Sequence, residues 1–444
     1  RDRLIIIDNT PGGLGRASFG SVDPDDDSDL HTTLEIHDGR AWTALVTEGS
    51  IGLGRGYLEG WWDSDDPVTV VRIIIRNIEW FDELRNRVAI TTGWATNRVR
   101  AALPKPGRSR NKEDIASHYD LGNEFFQIFL DETMTYSSAV FPSGEMALAE
   151  ASHHKYDRIL SKLGVTAEHS LMEIGSGWGG FALRAVDTVG CKVTTTTISE
   201  EQLAEATHRI HKAGRSAGVE ILDADWRDLT GRFDRVASIE MIEAVDWRDY
   251  DDFFATIERC LVPGGRAAIQ AIVLPEDRWE RAKNTEDFIR RFVFPNGCLP
   301  SIAAIDVAVD GATSMRVSGV DHYDHHYAET LRRWRARFDE RLDDVTELGL
   351  DERFQRLWRC YLAYCEAGFR EHHCSLVQIT FVDQRPPEPV AVRAAPASRP
   401  EPAFAAVTTM QTPTTTSTPP ISSTLPSTSS RISHPKKTPN SGIR

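Results

Sequence analysis

The segment LMEIGSGWGGF, Leu171 to Phe181, decides the fold of this chain. It begins with an apolar run, continues with one acidic residue, and then places glycines at positions 175, 177, 179 and 180 ahead of a helix-compatible stretch. A strand that ends in a tight glycine turn and continues into a helix lets the backbone approach a nucleotide-like ligand closely. The segment therefore predicts the first strand and helix of an α/β nucleotide-binding fold.

The glycine spacing alone leaves three interpretations open. Gly175, Gly177 and Gly180 also match the spacing of dinucleotide-binding turns, and a glycine-rich turn can serve tight packing alone. Glu173 favours S-adenosylmethionine (SAM), because SAM enzymes commonly hold an acid near the methionine end of this cationic cofactor. The predicted strand 192–197 runs into TTTTISEEQ without an immediate ribose-binding acid, which weakens the nicotinamide interpretation.

Composition limits the classes of partner. The chain has 444 residues, a net charge of -15 and a pI near 5.4. A basic field is needed to displace counterions from nucleic acid, so the acidic balance argues against general nucleic-acid binding. Six cysteines without paired metal-type spacing indicate reduced thiols and a cytoplasmic protein. The longest aliphatic runs are short and interrupted by charge, so we expect neither a membrane-spanning segment nor a signal peptide.

Strands and helices alternate through the central part of the chain. In the predicted helix 249–261, Phe253, Phe254 and Ile257 fall on one face, as in a helix that covers a parallel sheet. Residues 275–370 are predicted to be helical, and a last strand at 376–382 is expected to complete the sheet. The pattern predicts an α/β fold with a doubly wound, mostly parallel sheet. Its other elements are strands at 169–174, 219–223, 234–239 and 266–273, and helices at 178–188 and 200–213.

The chain divides into five predicted segments. Residues 1–31 are rich in glycine and then acidic, which predicts a poorly ordered lead-in. Residues 32–101 are predicted to form a small N-terminal α+β domain, and residues 102–112 a basic linker. The main domain follows at 113–385. Residues 386–444 are mostly Pro, Thr, Ser and Ala, which cannot offset the entropy of ordering, and are predicted to form a disordered C-terminal tail.

Seven ordered motifs carry a resemblance to a known family. They closely resemble the cyclopropane-fatty-acyl-phospholipid synthase family, which includes the mycolic acid cyclopropane synthases, over about 113–385. Residues 32–101 resemble, more loosely, the N-terminal module of the longer members, which implies a lipid-interaction module. The resemblance implies a Rossmann-like class I SAM-dependent methyltransferase. The motifs are HYDLGNEFF (118–126), MTYSSAVF (134–141), MEIGSGWGG (172–180), TTISEEQ (196–202), FDRVASIEMIEAV (233–245), FPNGCLPS (294–301) and HYAETLRRW (326–334).

The resemblance also implies two sets of site residues. Trp226 is expected against the adenine of SAM, with a core tryptophan as the alternative. The base implied by the family is a bicarbonate ion. A cysteine is usual where Ser138 stands and a histidine is frequent where Gln270 stands, but a hydroxyl and an amide can still donate to an anion. The SAM residues, together with Glu173, are Tyr136, Ser137, Gly175, Gly177, Thr197, Gln202 and Trp226. The bicarbonate residues are Ser138, Glu243, Gln270, Ile272 and Tyr327.

The implied reaction is SAM-dependent methyl transfer to the cis double bond of an unsaturated acyl chain, usually in a membrane phospholipid. Attack leaves a carbocation on the chain, so the pocket must be dry, and its product is a cyclopropane or a methylene- or methyl-branched chain. The expected partners are an unsaturated acyl phospholipid and a membrane surface, which the protein contacts peripherally. The choice between monomer and homodimer stays open. The histidine runs 321–328 and 371–374 lack zinc spacing, so no metal is expected.

Two other classes of function stay open at the level of sequence. The first is a lipid-binding, catalytically silent relative, which the residues at positions 138 and 270 motivate. The second is a nicotinamide-dependent oxidoreductase that uses the same glycine turn.

The basic connector from Arg98 to Lys112 generates a prediction about lipid access. Its six cations each contribute on the order of 1 kcal/mol at an anionic membrane surface. Neutralising all six should reduce sedimentation with anionic liposomes and activity on them, while activity on detergent-dispersed lipid persists. Equal liposome binding by the neutralised variant at low salt would place the contact elsewhere. The six residues are Arg98, Arg100, Lys105, Arg108, Arg110 and Lys112.

Overall fold

The computed structural model describes residues 2–21, 29–92 and 121–386. The predicted linker at 102–112, both of its boundaries, and all but the first residue of the predicted tail at 386–444 lie outside these ranges. The strands are β1 (Arg3–Asp8), β2 (Gly15–Gly20), β3 (His31–Ile36), β4 (Trp62–Asp63), β5 (Ser170–Ile174), β6 (Lys192–Thr197), β7 (Val219–Asp223), β8 (Phe233–Ile239), β9 (Leu261–Val273), β10 (Met315–His322) and β11 (Ser375–Asp383).

The main sheet has seven strands in the order β10-β11-β9-β8-β5-β6-β7. Strands β5 to β9 are parallel to their neighbours, whereas β11 pairs antiparallel with both β9 and β10. The chain leaves β5 toward β6 and β7, then returns to the other side of β5 as β8. This change of direction confirms the predicted doubly wound, mostly parallel sheet. It also creates a crevice at the carboxyl end of β5, where such sheets bind ligands.

Helices cover both faces of this sheet. Neighbouring residues of one strand face opposite sides, so Leu171 packs in one hydrophobic cluster and Met172 in the other. The helices are α1 (Arg40–Glu48), α2 (Ser50–Leu58), α3 (Pro67–Arg76), α4 (Ile78–Thr92), α5 (Asn123–Phe129), α6 (Leu148–Leu163), α7 (Gly180–Thr188), α8 (Glu200–Lys212), α9 (Tyr250–Cys260), α10 (Glu276–Ala282), α11 (Phe288–Phe292), α12 (Ile302–Ala312), α13 (Asp324–Glu340), α14 (Leu342–Glu347) and α15 (Glu352–Arg370). Among the described residues, none of these helices has the length and apolar character that crossing a membrane requires.

The N-terminal residues form a second sheet in the order β2-β1-β3-β4. Strand β1 pairs antiparallel with β2 and parallel with β3, and it buries Ile5 and Ile6. This corrects the expectation of a poorly ordered lead-in over residues 1–31. The physical reason is the aliphatic run from Leu4 to Ile7, which provides a buried strand ahead of the glycine-rich and acidic residues.

Strand β10 corrects a second expectation. The sequence predicts helical structure throughout 275–370, but Met315–His322 pairs along β11 with a register shift between Val317 and Gly319. The last strand therefore lies inside the sheet, and β10 forms the edge. The burial pattern of β10 is mostly partial or exposed, as expected of an edge strand, so its sequence lacks a continuous apolar run.

The N-terminal helices pack against α15 and α11. The guanidinium of Arg356 on α15 donates to the carbonyl of Tyr57 at 2.6 Å and to the Asp63 carboxylate at 2.7 Å. Helix α2 lies so close to α11 that a Cβ added at Gly54 would meet the ring of Phe288 at 2.1 Å. These contacts hold the second sheet and its helices against the main domain.

The close approach at Gly54 predicts opposite effects of two glycine-to-alanine changes in helices. Gly54→Ala should lower the free energy of unfolding by about 1–3 kcal/mol, because overpacking displaces Phe288. Gly311→Ala on α12 is the matched control, since a Cβ there meets no atom within 4 Å. It should be neutral or stabilising by up to about 1 kcal/mol, from helix propensity alone. Denaturant unfolding of both variants measures this, and equal effects would contradict the packing at Gly54.

Candidate active site

The glycine turn lies at the carboxyl end of β5. Gly175, Gly177 and Gly179 have φ values of 96°, 47° and 82°, a left-handed region that glycine adopts without a Cβ clash. The amides of Gly175 and Ser176 donate to the carbonyl of Thr196 on β6, at 3.2 and 2.8 Å. A Cβ added at Gly177 would meet no atom within 4 Å. The backbone at Gly177 therefore leaves open space beside the crevice.

Glu173 is a buried acid directly before this turn. Its side chain is 2% exposed, and its Oε2 atom has no hydrogen-bond partner among the described residues. Burial raises the pKa of Glu173 to about 8, opposed in part by the Thr195 hydroxyl and then by the Lys155 ammonium. An uncompensated buried carboxyl group is costly unless a cation or donor joins it. Glu173 and the open glycine turn together fit a cationic, nucleotide-like cofactor such as SAM.

Thr197 and Gln202 meet at the end of the neighbouring strand β6. The Thr197 hydroxyl donates to Oε1 of Gln202 at 2.9 Å and accepts from the amide of Ser199 at 3.1 Å. Both side chains are buried. The structure therefore brings Thr197 and Gln202 together beside Thr196, whose carbonyl accepts hydrogen bonds from the glycine turn.

Trp226 lies in a short 3₁₀ turn after β7. Its ring meets Phe253 edge-on, with centroids 5.3 Å apart, and the Arg227 guanidinium lies 4.6 Å above it. The side chain is half-buried at the rim of a hydrophobic cluster. Trp226 therefore combines core packing at its edge with a partly accessible ring, so its expected position against an adenine stays a prediction.

The segment from Tyr136 to Ser138 joins the cofactor residues to the predicted anion site. The Tyr136 hydroxyl lies 3.0 Å from that of Tyr361, and Ser137 Oγ accepts from Lys155 Nζ at 2.5 Å. The Ser138 amide donates to Oε1 of Glu240 at 2.9 Å. The Ser138 hydroxyl instead donates to the Ala139 carbonyl, so Ser138 contributes its backbone N–H to the site, and not the expected side-chain donor.

Glu240 is the centre of this site, and sequence reasoning missed it. Its Oε1 atom also accepts from Gln270 Nε2 at 2.7 Å, and its Oε2 atom accepts from the Tyr327 hydroxyl at 2.6 Å. Desolvation raises the pKa of Glu240, while Lys155, Tyr327 and Gln270 oppose the rise. The available signal was its position immediately after the predicted strand 234–239, at the same sheet edge as the glycine turn.

Lys155 is the second residue that sequence reasoning missed. Its side chain is fully buried on α6, and burial lowers its pKa to about 8 despite the charges of Glu240, Asp131 and Glu173. A lysine on a helix is usually solvated. The available signal was its helical spacing of four from Ala151 and Ile159, which places it on the buried face of α6.

Glu243 and Ile272 form a neighbouring contact. The amide of Ile272 on β9 donates to Oε1 of Glu243 at 2.6 Å, and Oε2 of Glu243 has no hydrogen-bond partner among the described residues. Burial and the negative charge of Glu240 together raise the pKa of Glu243 to about 8, although the Ile272 amide acts in the opposite direction. The five residues expected around a bicarbonate ion therefore form two neighbouring groups. Ser138, Gln270 and Tyr327 bond to Glu240, and Ile272 bonds to Glu243.

These residues do not fit a separate bicarbonate ion. The Ser138 amide, the Gln270 amide group and the Tyr327 hydroxyl all donate to the Glu240 carboxylate, which takes up the donors that an anion needs. A second anion at the same donors would place two like charges side by side. The site carries its own carboxylate where the resemblance implies bicarbonate.

Aromatic rings surround the polar cluster. Tyr327 stacks on Phe369 with centroids 4.4 Å apart, and Tyr136 lies 5.4 Å from the ring of Trp334. The histidine runs have packing contacts: the rings of His325 and His326 lie 3.9 Å apart, for example. Across the described ranges, no group of three or more potential ligand side chains could hold a metal ion.

Comparison with known proteins agrees with this geometry. A family model described as mycolic acid cyclopropane synthetase matches residues 107–379. The chain is 40% identical over 393 residues to tuberculostearic acid methyltransferase UfaA1 of Mycobacterium tuberculosis, a match that covers 87% of this chain and 88% of that protein. It is 31% identical over 340 residues to the cyclopropane-fatty-acyl-phospholipid synthase of Escherichia coli, covering 76% of this chain and 84% of that protein.

Solved structures give the same result. Mycolic acid cyclopropane synthase CmaA1, in a complex with SAH and CTAB, matches with a TM-score of 0.57 and 30% identity, covering 61% of this chain and 98% of that chain. The family model, the relatives and the sheet order agree on one assignment. The chain therefore belongs to the mycolic acid cyclopropane synthetase family of SAM-dependent methyltransferases that act on lipid chains.

Proposed function

We propose that the protein transfers a methyl group from SAM to the cis double bond of an unsaturated fatty acyl chain carried by a phospholipid. The observation that carries the proposal is the meeting of the cofactor turn and the Glu240 cluster at one sheet edge. Met241, the residue after Glu240, lies 3.2 Å from the position that a Cβ at Gly175 would take. A methyl donor at the turn would therefore lie next to a desolvated carboxylate.

The SAM-binding part of the proposal rests on the glycine turn and its neighbours. When bound, SAM supplies an electrophilic methyl group on a positively charged sulfur. Glu173 would balance the positive charge of the cofactor, because its carboxyl group is buried and retains an unbonded oxygen. The residues that would hold SAM are Tyr136, Ser137, Glu173, Gly175, Gly177, Thr197, Gln202 and Trp226.

The other side chains of the site suit a reaction through a carbocation. An alkene is a weak nucleophile, so holding it in line with the methyl group is the main contribution of the protein. The faces of Tyr136 and Tyr327 can stabilise a desolvated cation by about 2 kcal/mol each. Phe125 and Trp178, by contrast, are packed among core rings. Both rings contact Phe126 in the buried part of the aromatic cluster.

The two relatives favour a branched acyl chain over a cyclopropane ring as the product. The relative named tuberculostearic acid methyltransferase shares 40% identity over 87% of this chain, against 31% over 76% for the relative named cyclopropane-fatty-acyl-phospholipid synthase. We therefore propose a branched chain that keeps one carbon–carbon double bond, as a methylene branch or as a methyl branch beside a double bond, with the cyclopropane as the alternative. Because a phospholipid substrate resides in a bilayer, we also propose peripheral action at the cytoplasmic membrane surface.

The open space at Gly177 predicts the effect of a side chain on cofactor binding. Gly177→Val should weaken SAM binding at least about tenfold, or 1.4 kcal/mol, because the side chain fills the space that the backbone leaves for the cofactor. Gly214→Val is the matched control: its φ is 68°, and nothing lies within 4 Å of its Cβ position. It imposes similar backbone strain away from the site. Calorimetric titration with SAM that returns equal affinities for both variants would contradict the cofactor assignment.

Expression in a bacterial host without ring-containing or branched lipids tests the reaction itself. We expect its unsaturated acyl chains to gain one carbon and two hydrogens, with the label of methyl-labelled SAM in the added carbon. Proton NMR of the lipid then separates ring from branch by the upfield cyclopropane signals. Unchanged lipids, with SAM binding intact, would favour the catalytically silent lipid-binding alternative. Binding of NADH in place of SAM would favour the oxidoreductase.

A further inference from the structure

We propose that the Glu240 carboxylate is itself the catalytic base, in place of the bicarbonate ion implied by the family resemblance. This inference rests on the proposed methyl transfer and names the group that takes the proton from the alkylated chain. The step is balanced. A C–H bond of the cationic chain breaks, its electron pair closes the ring or forms a carbon–carbon double bond, and the proton moves to Oε2 of Glu240. It consumes neither an oxidant nor a reductant.

The hydrogen bonds define which oxygen of Glu240 can receive a proton. Oε1 accepts from the Ser138 amide and from Gln270 Nε2. Both of these groups can only donate, so Oε1 carries no proton. Oε2 faces the Tyr327 hydroxyl at 2.6 Å, and a hydroxyl can either donate or accept. A proton that arrives at Oε2 therefore keeps this hydrogen bond, with its direction reversed.

A relay of donors fixes the orientation of Gln270. Lys162 Nζ donates to Oε1 of Gln378 at 2.6 Å, and an ammonium group cannot accept. The amide group of Gln378 must then present Nε2 to Oε1 of Gln270, at 2.9 Å. Gln270 in turn presents its own Nε2 to Glu240. Because a glutamine amide does not take up a proton near neutral pH, Gln270 holds the carboxylate without competing for the proton.

The backbone of Glu240 is held in an unusual conformation. Its φ is 49°, in the left-handed region that residues other than glycine seldom adopt. The amide of Glu240 donates to the Gln270 carbonyl at 2.8 Å, which holds this conformation at the end of β8. Glu240 as a residue is half-buried at this strand end, next to the crevice at the carboxyl edge of the sheet.

The surrounding charges keep the carboxylate a competent base. Lys155 Nζ is bonded to Ser137, the neighbour of Ser138, and its charge acts against the desolvation that raises the pKa of Glu240. A carboxylate with a raised pKa is a stronger base than one in water, provided that it stays ionised. Of the two positions that depart from the usual family residues, Gln270 donates to Oε1 of Glu240 through its side chain, and Ser138 donates through its backbone N–H.

Bicarbonate dependence of the wild-type enzyme is the first test, and it needs no substitution. Turnover of unsaturated phospholipid vesicles with SAM should be unchanged between carbonate-free buffer and buffer with added bicarbonate. Loss of activity in carbonate-free buffer, with recovery on adding bicarbonate, would overturn the proposal. A wild-type enzyme that never methylates lipid would overturn the proposed function instead.

Two substitutions provide the second test. Glu240→Gln should lower kcat by about 10²–10⁴-fold, the usual contribution of a general base, with SAM affinity within about twofold of wild type. Glu240→Gly removes the carboxylate and relieves the positive φ, so it should be inactive without bicarbonate and regain part of its activity when bicarbonate or formate is added. The matched control is His372→Gly, because His372 has the same φ of 49° and lies on the exposed surface. This variant should keep the wild-type turnover rate both with and without added bicarbonate.

Retention of kcat by Glu240→Gln within about tenfold would overturn the proposal. The proposal also predicts that an added anion can replace the carboxylate removed in Glu240→Gly. A Glu240→Gly protein that binds SAM normally but gains no activity from bicarbonate or formate would therefore overturn it too. SAM affinity and the melting transition of each variant separate a chemical effect from loss of folding.

Discussion

Burial of the Lys155 ammonium among carboxylates is the interaction on which the site depends. Glu173 and Glu240 both lie in desolvated surroundings, and Lys155 is the cation whose charge lowers the pKa of each. The lysine is itself destabilised by burial and is compensated by these same acids. Its bond to Ser137 ties the loop of Tyr136 to Ser138 onto α6. One buried cation therefore links the cofactor turn, this loop and the base.

The parallel sheet makes this meeting of distant residues possible. Because β5, β6 and β8 run in the same direction, the residues at or just after their carboxyl ends gather at one edge: Gly175, Thr197 and Glu240. Tyr327 then reaches Glu240 from α13, across 87 positions of sequence. The glycine turn provides the backbone surface for a cofactor, and the end of β8 provides the carboxylate next to it. The catalytic geometry is thus a consequence of strand order.

The part of the fold that the sequence predicted best is the alternation of strands and helices around the glycine turn. Strands β5 to β8 lie within one residue of their predicted bounds. Strand β5 is marked by an apolar run before a glycine turn, and β6 by β-branched Val and Thr, which favour strands. Edge strand β10 was missed because its burial is partial and a glycine interrupts it. Glu240 was missed for a different reason. The family resemblance implies a bound ion as the base, and the donors Ser138, Gln270 and Tyr327 meet at Glu240 only in the folded structure.

Helix α15 connects the N-terminal module to the chemistry. One side of this helix carries Arg356, which bonds to the carbonyl of Tyr57 and to Asp63 of the N-terminal part. The same helix places Tyr361 against the hydroxyl of Tyr136 and stacks Phe369 on Tyr327. The N-terminal sheet and helices therefore support the helix that positions two aromatic side chains of the site. Because α15 also packs against α2 and α3, these N-terminal helices help to hold Phe369 against Tyr327, whose hydroxyl bonds to the oxygen that receives the proton.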